Sequence, residues 1–308
     1  MQLITKEVEV KMKNKLTFII DELDDKMRLN LYLKEKRKLS SRFIKSAAIE
    51  KRIEVDGKKV KLNYVVKTGE IVEIDVEKEE TQNMEPQKLD SLEIVYEDSD
   101  IIVVNKPSNI VVHPTKSHPD KTLANGLLYY FKEKGENSIV RLVSRLDMDT
   151  SGLILVAKNQ FSHMSLARDM NLESFEKGYV AVVHGNLQNK SGTIDKPIYR
   201  TGGDSIRRII DERGQRSITH YEVVESYAKG DLVRLHLETG RTHQIRVHLC
   251  SIGHPIFGDL LYDGKDDLIK RQALHAYKLH FPHPKTGEII KLETKLPDDI
   301  KNLIYNIK

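Results

Sequence analysis

A chain of 308 residues is long for one average domain and suits about two, with enough interior for a sizeable core. Hydrophobic residues at 39% and charged residues at 31% exclude a disordered or membrane-embedded chain, and no apolar run approaches the roughly 18 residues that span a bilayer. The single cysteine, Cys250, excludes an intramolecular disulfide and a cysteine-rich zinc cage, and a net charge of +4 leaves any affinity for a polyanion to the distribution of charge. Residues 1–9 lack the apolar core of a signal peptide, so the expected location is cytoplasmic.

Strand character first appears over residues 7–20. Beyond Asp24 and Asp25 the composition turns basic: residues 26–67 hold 14 Lys and Arg against 4 Asp and Glu, so about +10 sits in this stretch. Leu29 and Leu33 with Lys34, Lys36, Arg37 and Lys38 predict a short amphipathic helix, and Ser40 or Ser41 can cap a second carrying Phe43, Ile44, Ala47 and Ala48. Ile53, Val55, the dipeptide Asp56-Gly57 and Val60 predict two strands joined by a tight primed turn. A lysine-rich face on such a unit either meets phosphates, through Arg42, Lys45, Lys51 and Arg52, or keeps a small domain soluble. Residues 77–91 are polar, acidic and broken by Pro86, which marks a linker between a first domain over 1–76 and a second over 92–308.

The second domain opens with Ile94-Val95-Tyr96 and Ile101-Ile102-Val103-Val104, two apolar strands around a turn, and Pro107 ends the second of them. His113, beside Pro114 and without a carboxylate partner in sequence, reads as a loop residue. Leu123, Leu127, Tyr130 and Phe131 recur at helical spacing over 122–133. Next comes Ser144-Arg145-Leu146-Asp147-Met148-Asp149-Thr150-Ser151-Gly152, which runs into Leu153-Ile154-Leu155-Val156-Ala157. The apolar residues predict a strand buried on both faces, and the polar ones before them a tight loop that delivers Asp147 to the strand end. A carboxylate there is either a turn former bonded to its own loop or a reagent.

Asn159 can cap a helix bearing Phe161, Met164, Ala167 and Met170. Residues 179–183 predict a buried strand with Tyr179 on the face of Ala181 and Val183. Residues 195–214 read as an exposed insertion whose Arg200, Arg207, Arg208 and Arg213 either contact a polyanion or are simply solvated. After strands over 219–225 and 231–238, Gly240 turns the chain, and Thr242 can cap a helix whose Ile245, Leu249 and Ile252 face the core. Arg241 then falls beside a helix N-terminus, where an anion is favoured twice over; that anion is a phosphate or the Asp147 carboxylate. His243 and His248, at i and i+5, leave a helix on different faces, unlike the i, i+4 pair of zinc proteases, so no metal site is expected.

Arg145-Leu146-Asp147 with Asp149-Thr150-Ser151-Gly152, then Lys177-Gly178-Tyr179-Val180-Ala181 with Gly185, then Gly240-Arg241-Thr242-His243-Gln244-Ile245-Arg246-Val247-His248 resemble, in order and separation, the three main motifs of the RluA-type RNA pseudouridine synthases. Asn105-Lys106-Pro107, Val111-Val112-His113-Pro114, Leu274-His275-Ala276 and Phe281-Pro282-His283-Pro284 continue the family wording, so the resemblance covers about 92–297. It implies an α+β fold: a mixed, largely antiparallel central sheet flanked by helices, with an RNA cleft. The basic helices and hairpin before it resemble the alpha-L RNA-binding domain of a ribosomal small-subunit protein, which implies a small basic α/β RNA-binding domain at the N-terminus in which Arg42, Lys45 and Arg52 bind RNA. The wording departs from the common form at Asn30, where Asp is usual, and at Ser144, where His is usual.

The resemblance implies isomerisation of uridine to pseudouridine in RNA. Asp147 is then the essential carboxylate, attacking carbon 1 of the ribose or removing the proton of carbon 2. Tyr179 stacks on the uracil and helps remove the carbon-5 proton, Arg145 takes the space of the extruded base, and Leu274 lines the uracil pocket. An aspartate enclosed by RNA and protein tends to protonate as water is excluded, so it needs a fixed cation, for which Arg241 is the candidate. No cofactor, metal or membrane is expected; the partner is RNA, ribosomal ahead of transfer RNA, and the chain is taken as a monomer. The competing reading is an RNA-binding ribosome-assembly factor on a synthase scaffold, against which the joint presence of Asp147, Tyr179 and Arg241 argues. A glycosidase is disfavoured, since a hydrolase needs a second placed carboxylate to manage water.

Overall fold

The computed structural model describes residues 15–76, 84–202, 205–264 and 267–308. The expected signal-free start, the first part of the strand over 7–20 and residues 77–83 of the expected linker lie outside the described residues.

The basic region forms β1 (Lys15–Ile19), α1 (Leu29–Leu31) running into a π-helical turn over Tyr32–Lys36, α2 (Ser41–Ile49), β2 (Ile53–Val55), β3 (Lys58–Lys59) and β4 (Ile71–Asp75). Its strands make one antiparallel sheet in the order β1-β4-β2-β3. Ser40, extended, accepts the Phe43 N–H and so caps α2, which settles the choice between the two serines. Phe43, Ile44 and Ala47 then face the sheet and close a core with Leu29, Leu33, Val72 and Ile74. Asp56 and Gly57 both have positive φ, 47° and 73°, as a primed turn requires.

The rest of the chain continues through β5 (Glu93–Glu97), β6 (Ile101–Lys106), α3 (Leu123–Glu133), β7 (Arg141–Leu142), β8 (Ser151–Ala157), α4 (Gln160–Asp169), β9 (Glu176–His184) and β10 (Ser191–Asp195). A ribbon of β11 (Ile198–Arg200) and β12 (Arg208–Ile210) follows, then β13 (Ile218–Ser226), β14 (Gly230–Leu237), α5 (Gln244–Ser251), β15 (Leu274–Pro282), β16 (Ile289–Glu293) and α6 (Asp298–Ile307). One large sheet runs β10-β13-β14-β9-β15-β8-β6-β5, with β16 on β15 and β7 on β8. Among the described strand pairs only β8–β15 is parallel, so the sheet is mixed and largely antiparallel, flanked by helices.

All seven residues of β8 are buried, because both faces are covered. Ile154 and Val156 pack with Ile102, Val104 and the Leu123, Leu127 and Phe131 side of α3, itself started by a Thr122–Asn125 capping box. Leu153 and Leu155 pack on the other side with Val103 and Leu166 of α4, which Asn159 caps. Farther along the sheet, Val182 and Val233 share a core with Leu249 of α5 and with Ile300, Leu303 and Ile307 of α6. The Phe43 ring of the first unit lies 6.1 Å from that of Phe161 on α4.

The parallel join positions the site. Ser151 pairs with His275 and Gly152 with Ala276, so the loop before β8 and the first residue of β15, Leu274, emerge at one end of the sheet. Tyr179 of β9 lies one position further along, between Ala276 and Leu235, and β14, which runs in the same direction as β8 and β15, ends at Leu237 before the turn into α5. A Cβ on Gly152 would stand 2.2 Å from the Ala276 carbonyl oxygen, and its φ is +116°. Gly152→Ala should therefore cost about 3 kcal/mol or more, read as a fall in the chemical-denaturation midpoint, whereas Gly57→Asn, at a turn with open space around it and a positive φ that Asn tolerates, should lower that midpoint much less.

Candidate active site

The loop carrying Asp147 is held by two buried cations. Lys106, at the end of β6 and fully buried, donates to three carbonyls: Pro107 O at 2.8 Å, Ile110 O at 3.0 Å and Met148 O at 2.8 Å. Those acceptors match the three protons of its ammonium, and burial pushes its pKa down to about 7. Arg271 grips the loop from the other side, donating to Asp149 O at 3.0 Å and Leu274 O at 3.3 Å while its Nε and Nη2 chelate Asp299 of α6. The Asp147 main chain is thus tied to β6, β15 and the last helix at once.

Its carboxylate meets Arg246 of α5: Oδ2 accepts from Nη1 at 3.0 Å. Arg246 in turn makes a two-pronged pair with Asp259, Nε to Oδ2 at 2.6 Å and Nη2 to Oδ1 at 2.8 Å. Side-chain exposure rises along the chain of charges, from 0% at Asp259 through 9% at Arg246 to 22% at Asp147, so only the last carboxylate opens to solvent. Burial works against the Arg246 charge, but the carboxylates of Asp259 and Asp147 outweigh it and hold its pKa above the ordinary guanidinium value.

This corrects the expected cation, which is Arg246 and not Arg241. Thr242 does not cap α5; His243 precedes it in the left-handed region, φ 59°, without a side-chain cap, and the helix begins at Gln244. Gln244 closes the turn instead, its Oε1 accepting from the Thr239 hydroxyl and the Arg241 N–H, both at 2.9 Å. Arg246 therefore falls in the buried first turn of the helix, while Arg241 is exposed before it, on the cleft wall. A charged residue among Ile245, Val247, His248 and Leu249, all buried, was the available signal, since a buried guanidinium needs carboxylate partners.

A cleft of about 530 Å³ brings together Arg145, Asp147, Tyr179, Arg241, His243 and Leu274. Leu274 and Tyr179 are buried in its floor, and Arg145 is exposed at its rim. Burial, and to a lesser degree the Asp147 charge, push the Tyr179 phenol above its ordinary pKa, so it is protonated at neutral pH. Lys177, also lining the cleft, is pushed down to about 8 by burial; sequence reasoning had passed over it.

Arg42 and Lys45 stand exposed on α2 around a shallow groove with Ser41, Ser46 and Ile49, apart from the cleft. Arg52 does not face outward with them. Its guanidinium bonds Glu50 and the Asp75 carbonyl and lies over the Phe43 ring at 5.7 Å, so it is used inside its own unit. In the insertion, Arg207 pairs with Asp263 and Arg213 with Asp211, which leaves Arg200 the exposed one without such a pair among the described residues. Asp98, Asp100 and His283 approach closely enough to share an ion, but their oxygens already accept from Tyr96, Ser99, Asn159, Ser162 and His283.

Comparison with known proteins identifies the relatives of this chain. Residues 100–251 match the family model described as RNA pseudouridylate synthase. The chain is 41% identical over 290 residues to the uncharacterized RNA pseudouridine synthase YhcT of Bacillus subtilis, covering 94% of this chain and 96% of that protein. It is 41% identical over 254 residues to ribosomal large subunit pseudouridine synthase D of Haemophilus influenzae, covering 78% of each. Among solved structures, human RNA pseudouridylate synthase domain containing 1 aligns with a TM-score of 0.57 and 30% identity, over 73% of this chain and 97% of that one.

The Asp259–Arg246 pair has a direct test in stability. Asp259→Asn, which leaves the guanidinium short of a buried countercharge, should cost about 3–5 kcal/mol. Asp259→Asn combined with Arg246→Met should recover part of that loss in equilibrium denaturation, and a further loss in the double variant would contradict the assignment of the burial cost to an uncompensated charge.

Proposed function

The chain belongs to the RNA pseudouridine synthase family and is an isomerase acting on RNA; from that premise we propose that it isomerises specific uridines of large-subunit ribosomal RNA, with Asp147 as the essential carboxylate. The observation that carries the reading is the Asp147–Arg246–Asp259 chain, which presents one carboxylate, bonded to a buried guanidinium, to a cleft beside Tyr179. As RNA enters and water leaves, a lone aspartate would take up a proton; Arg246, whose own charge is secured by Asp259, opposes that.

The bond to ribose carbon 1 passes from uracil N1 to C5, and the proton lost from C5 is replaced by one on N1, so no atom is gained or lost. Asp147 opens the sequence by attacking carbon 1 or taking the carbon-2 proton. Tyr179, buried and protonated, offers the freed uracil a ring face and an O–H; as a base for the C5 proton it would first have to ionise against burial and the nearby Asp147. Arg145, exposed at the rim, suits filling the gap left by the extruded nucleotide, and Leu274 suits the apolar wall of the uracil pocket.

Residues 1–76 are proposed as an RNA-binding domain, 77–91 as a linker and 92–308 as the catalytic domain. The separate sheet and core over residues 15–76 and the exposed Arg42 and Lys45 support this. Among the described residues no helix is long and apolar enough to cross a membrane; the reading is of a cytoplasmic monomer. Ribosomal RNA is favoured over transfer RNA by that basic leading unit and by the name of the Haemophilus relative, a ribosomal large subunit pseudouridine synthase.

The test is to incubate the purified chain, and in parallel Asp147→Ala, with unmodified ribosomal and transfer RNA transcripts and to map pseudouridine by carbodiimide-dependent primer extension. Stops are expected in large-subunit ribosomal RNA from the unaltered chain alone, with Asp147→Ala at background. Stops only in transfer RNA would replace the substrate, and silence on both with salt-sensitive binding retained would favour an assembly factor. Arg42→Glu with Lys45→Glu should weaken RNA binding and lower the slope of log K against log salt by about 1–2.

A further inference from the structure

His243 is held more tightly than a residue at the start of a helix requires. It is not glycine, yet its backbone sits at φ 59° and ψ 19°, a conformation that costs an ordinary side chain stabilisation and that tends to mark a functional position. The side chain caps nothing on α5. Instead the ring turns into the cleft, edge-on to Tyr262, with ring centroids 5.7 Å apart at 84°.

Tyr262 sets which ring nitrogen carries the proton. Its hydroxyl is buried and accepts the Arg208 N–H at 2.7 Å, so its own proton needs an acceptor, and His243 Nδ1 stands 3.0 Å away. With Nδ1 accepting, Nε2 bears the hydrogen and faces the Asp147 carboxylate, 3.9 Å from Oδ2. Burial favours the neutral ring. That separation is too long for a direct hydrogen bond and suits one intervening hydroxyl that accepts from Nε2–H and donates to Oδ2. Once ribose carbon 1 or carbon 2 is brought to Asp147, the hydroxyl nearest at hand is the one on carbon 2.

We propose that His243 is a substrate-binding residue whose Nε2–H holds the 2′-hydroxyl of the target uridine against Asp147 Oδ2, the group that separates RNA from DNA. The inference rests on the uridine-isomerase reading. Arg246 and the bridged hydroxyl would both engage Oδ2, which leaves Oδ1 for the ribose carbon. The tautomer is set by a main-chain N–H of β12, so the inserted ribbon takes part in reading the sugar.

The decisive experiment compares single-turnover rates at saturating enzyme on two RNAs that differ only in carrying uridine or 2′-deoxyuridine at the target position. The unaltered chain should be about tenfold slower on the deoxy RNA. His243→Ala should be about tenfold slower on the ribose RNA and equally fast on both, while His243→Gln, which retains an N–H, should recover part of the rate and of the discrimination. A His243→Ala variant that slows both RNAs by the same factor would overturn the proposal, as would an unaltered chain that does not discriminate. Should His243→Ala fail to fold, Tyr262→Phe decides: it should lose part of the discrimination, and keeping all of it refutes the role. An unaltered chain that modifies no all-ribose RNA would instead defeat the isomerase reading itself.

Discussion

A carboxylate that has to stay ionised where water is excluded depends on a cation that cannot give up its own charge. Arg246 meets that condition because it lies between two carboxylates, one fully buried and one at the cleft. The inner partner, Asp259, fixes the guanidinium plane through two hydrogen bonds and leaves Nη1 for Asp147. The three charges sum to one negative, so Asp147 is restrained without being neutralised. A lysine in this place would offer a point charge with no fork to lock, and its ammonium would be open to losing its proton on burial.

The sheet serves, in functional terms, to bring that pair to one cleft. Asp147 precedes β8 and Arg246 follows β14, strands separated in the sheet by β9 and β15. The parallel β8–β15 join lets two loops leave from one edge, and Gly152 permits it because no side chain stands between its backbone and that of Ala276. Lys106 and Arg271 then hold the loop by its carbonyls rather than by its side chains, so the carboxylate is left for Arg246 and the cleft. Three buried cations thus serve two purposes within this small volume, and each is surrounded by oxygens that replace the water it lost.

The first unit has different physics. Its core is small and its surface is strongly basic: Arg42 and Lys45 on α2 are exposed, as are Lys51, Lys58, Lys59 and Lys61 beyond it, while Arg52 is turned inward and pairs with Glu50. Proximity in sequence to other basic residues therefore says little about which cations are available to a phosphate. The same distinction holds in the β11–β12 insertion, where Arg207 and Arg213 are paired with aspartates. Long-range attraction survives such pairing, but directed contacts need unpaired groups.

Much of this protein was legible in the chain alone. The five apolar residues after Gly152 specify a strand buried on both faces, the spacing of Leu123, Leu127 and Phe131 and the cap at Asn159 announce their helices, and Asp56-Gly57 announces its turn. These are local matters, decided by side-chain spacing, capping hydrogen bonds and the sterics of positive φ. The motifs around Asp147, Tyr179 and Arg241 also indicated the cleft that they line together. The partner of Asp147 was not legible, because it depends on where α5 starts, and that was decided by Gln244 bonding Thr239 and by the left-handed turn at His243 rather than by Thr242. Nor could Asp259, Lys106 and Arg271 be recognised as supports, since each acts across 13 to 122 residues of sequence on atoms that only the folded sheet brings within reach. Residue types and spacing determined the elements and the chemistry on offer; which charges meet was decided by tertiary packing, because a buried charge takes whichever opposite partner the fold delivers to it.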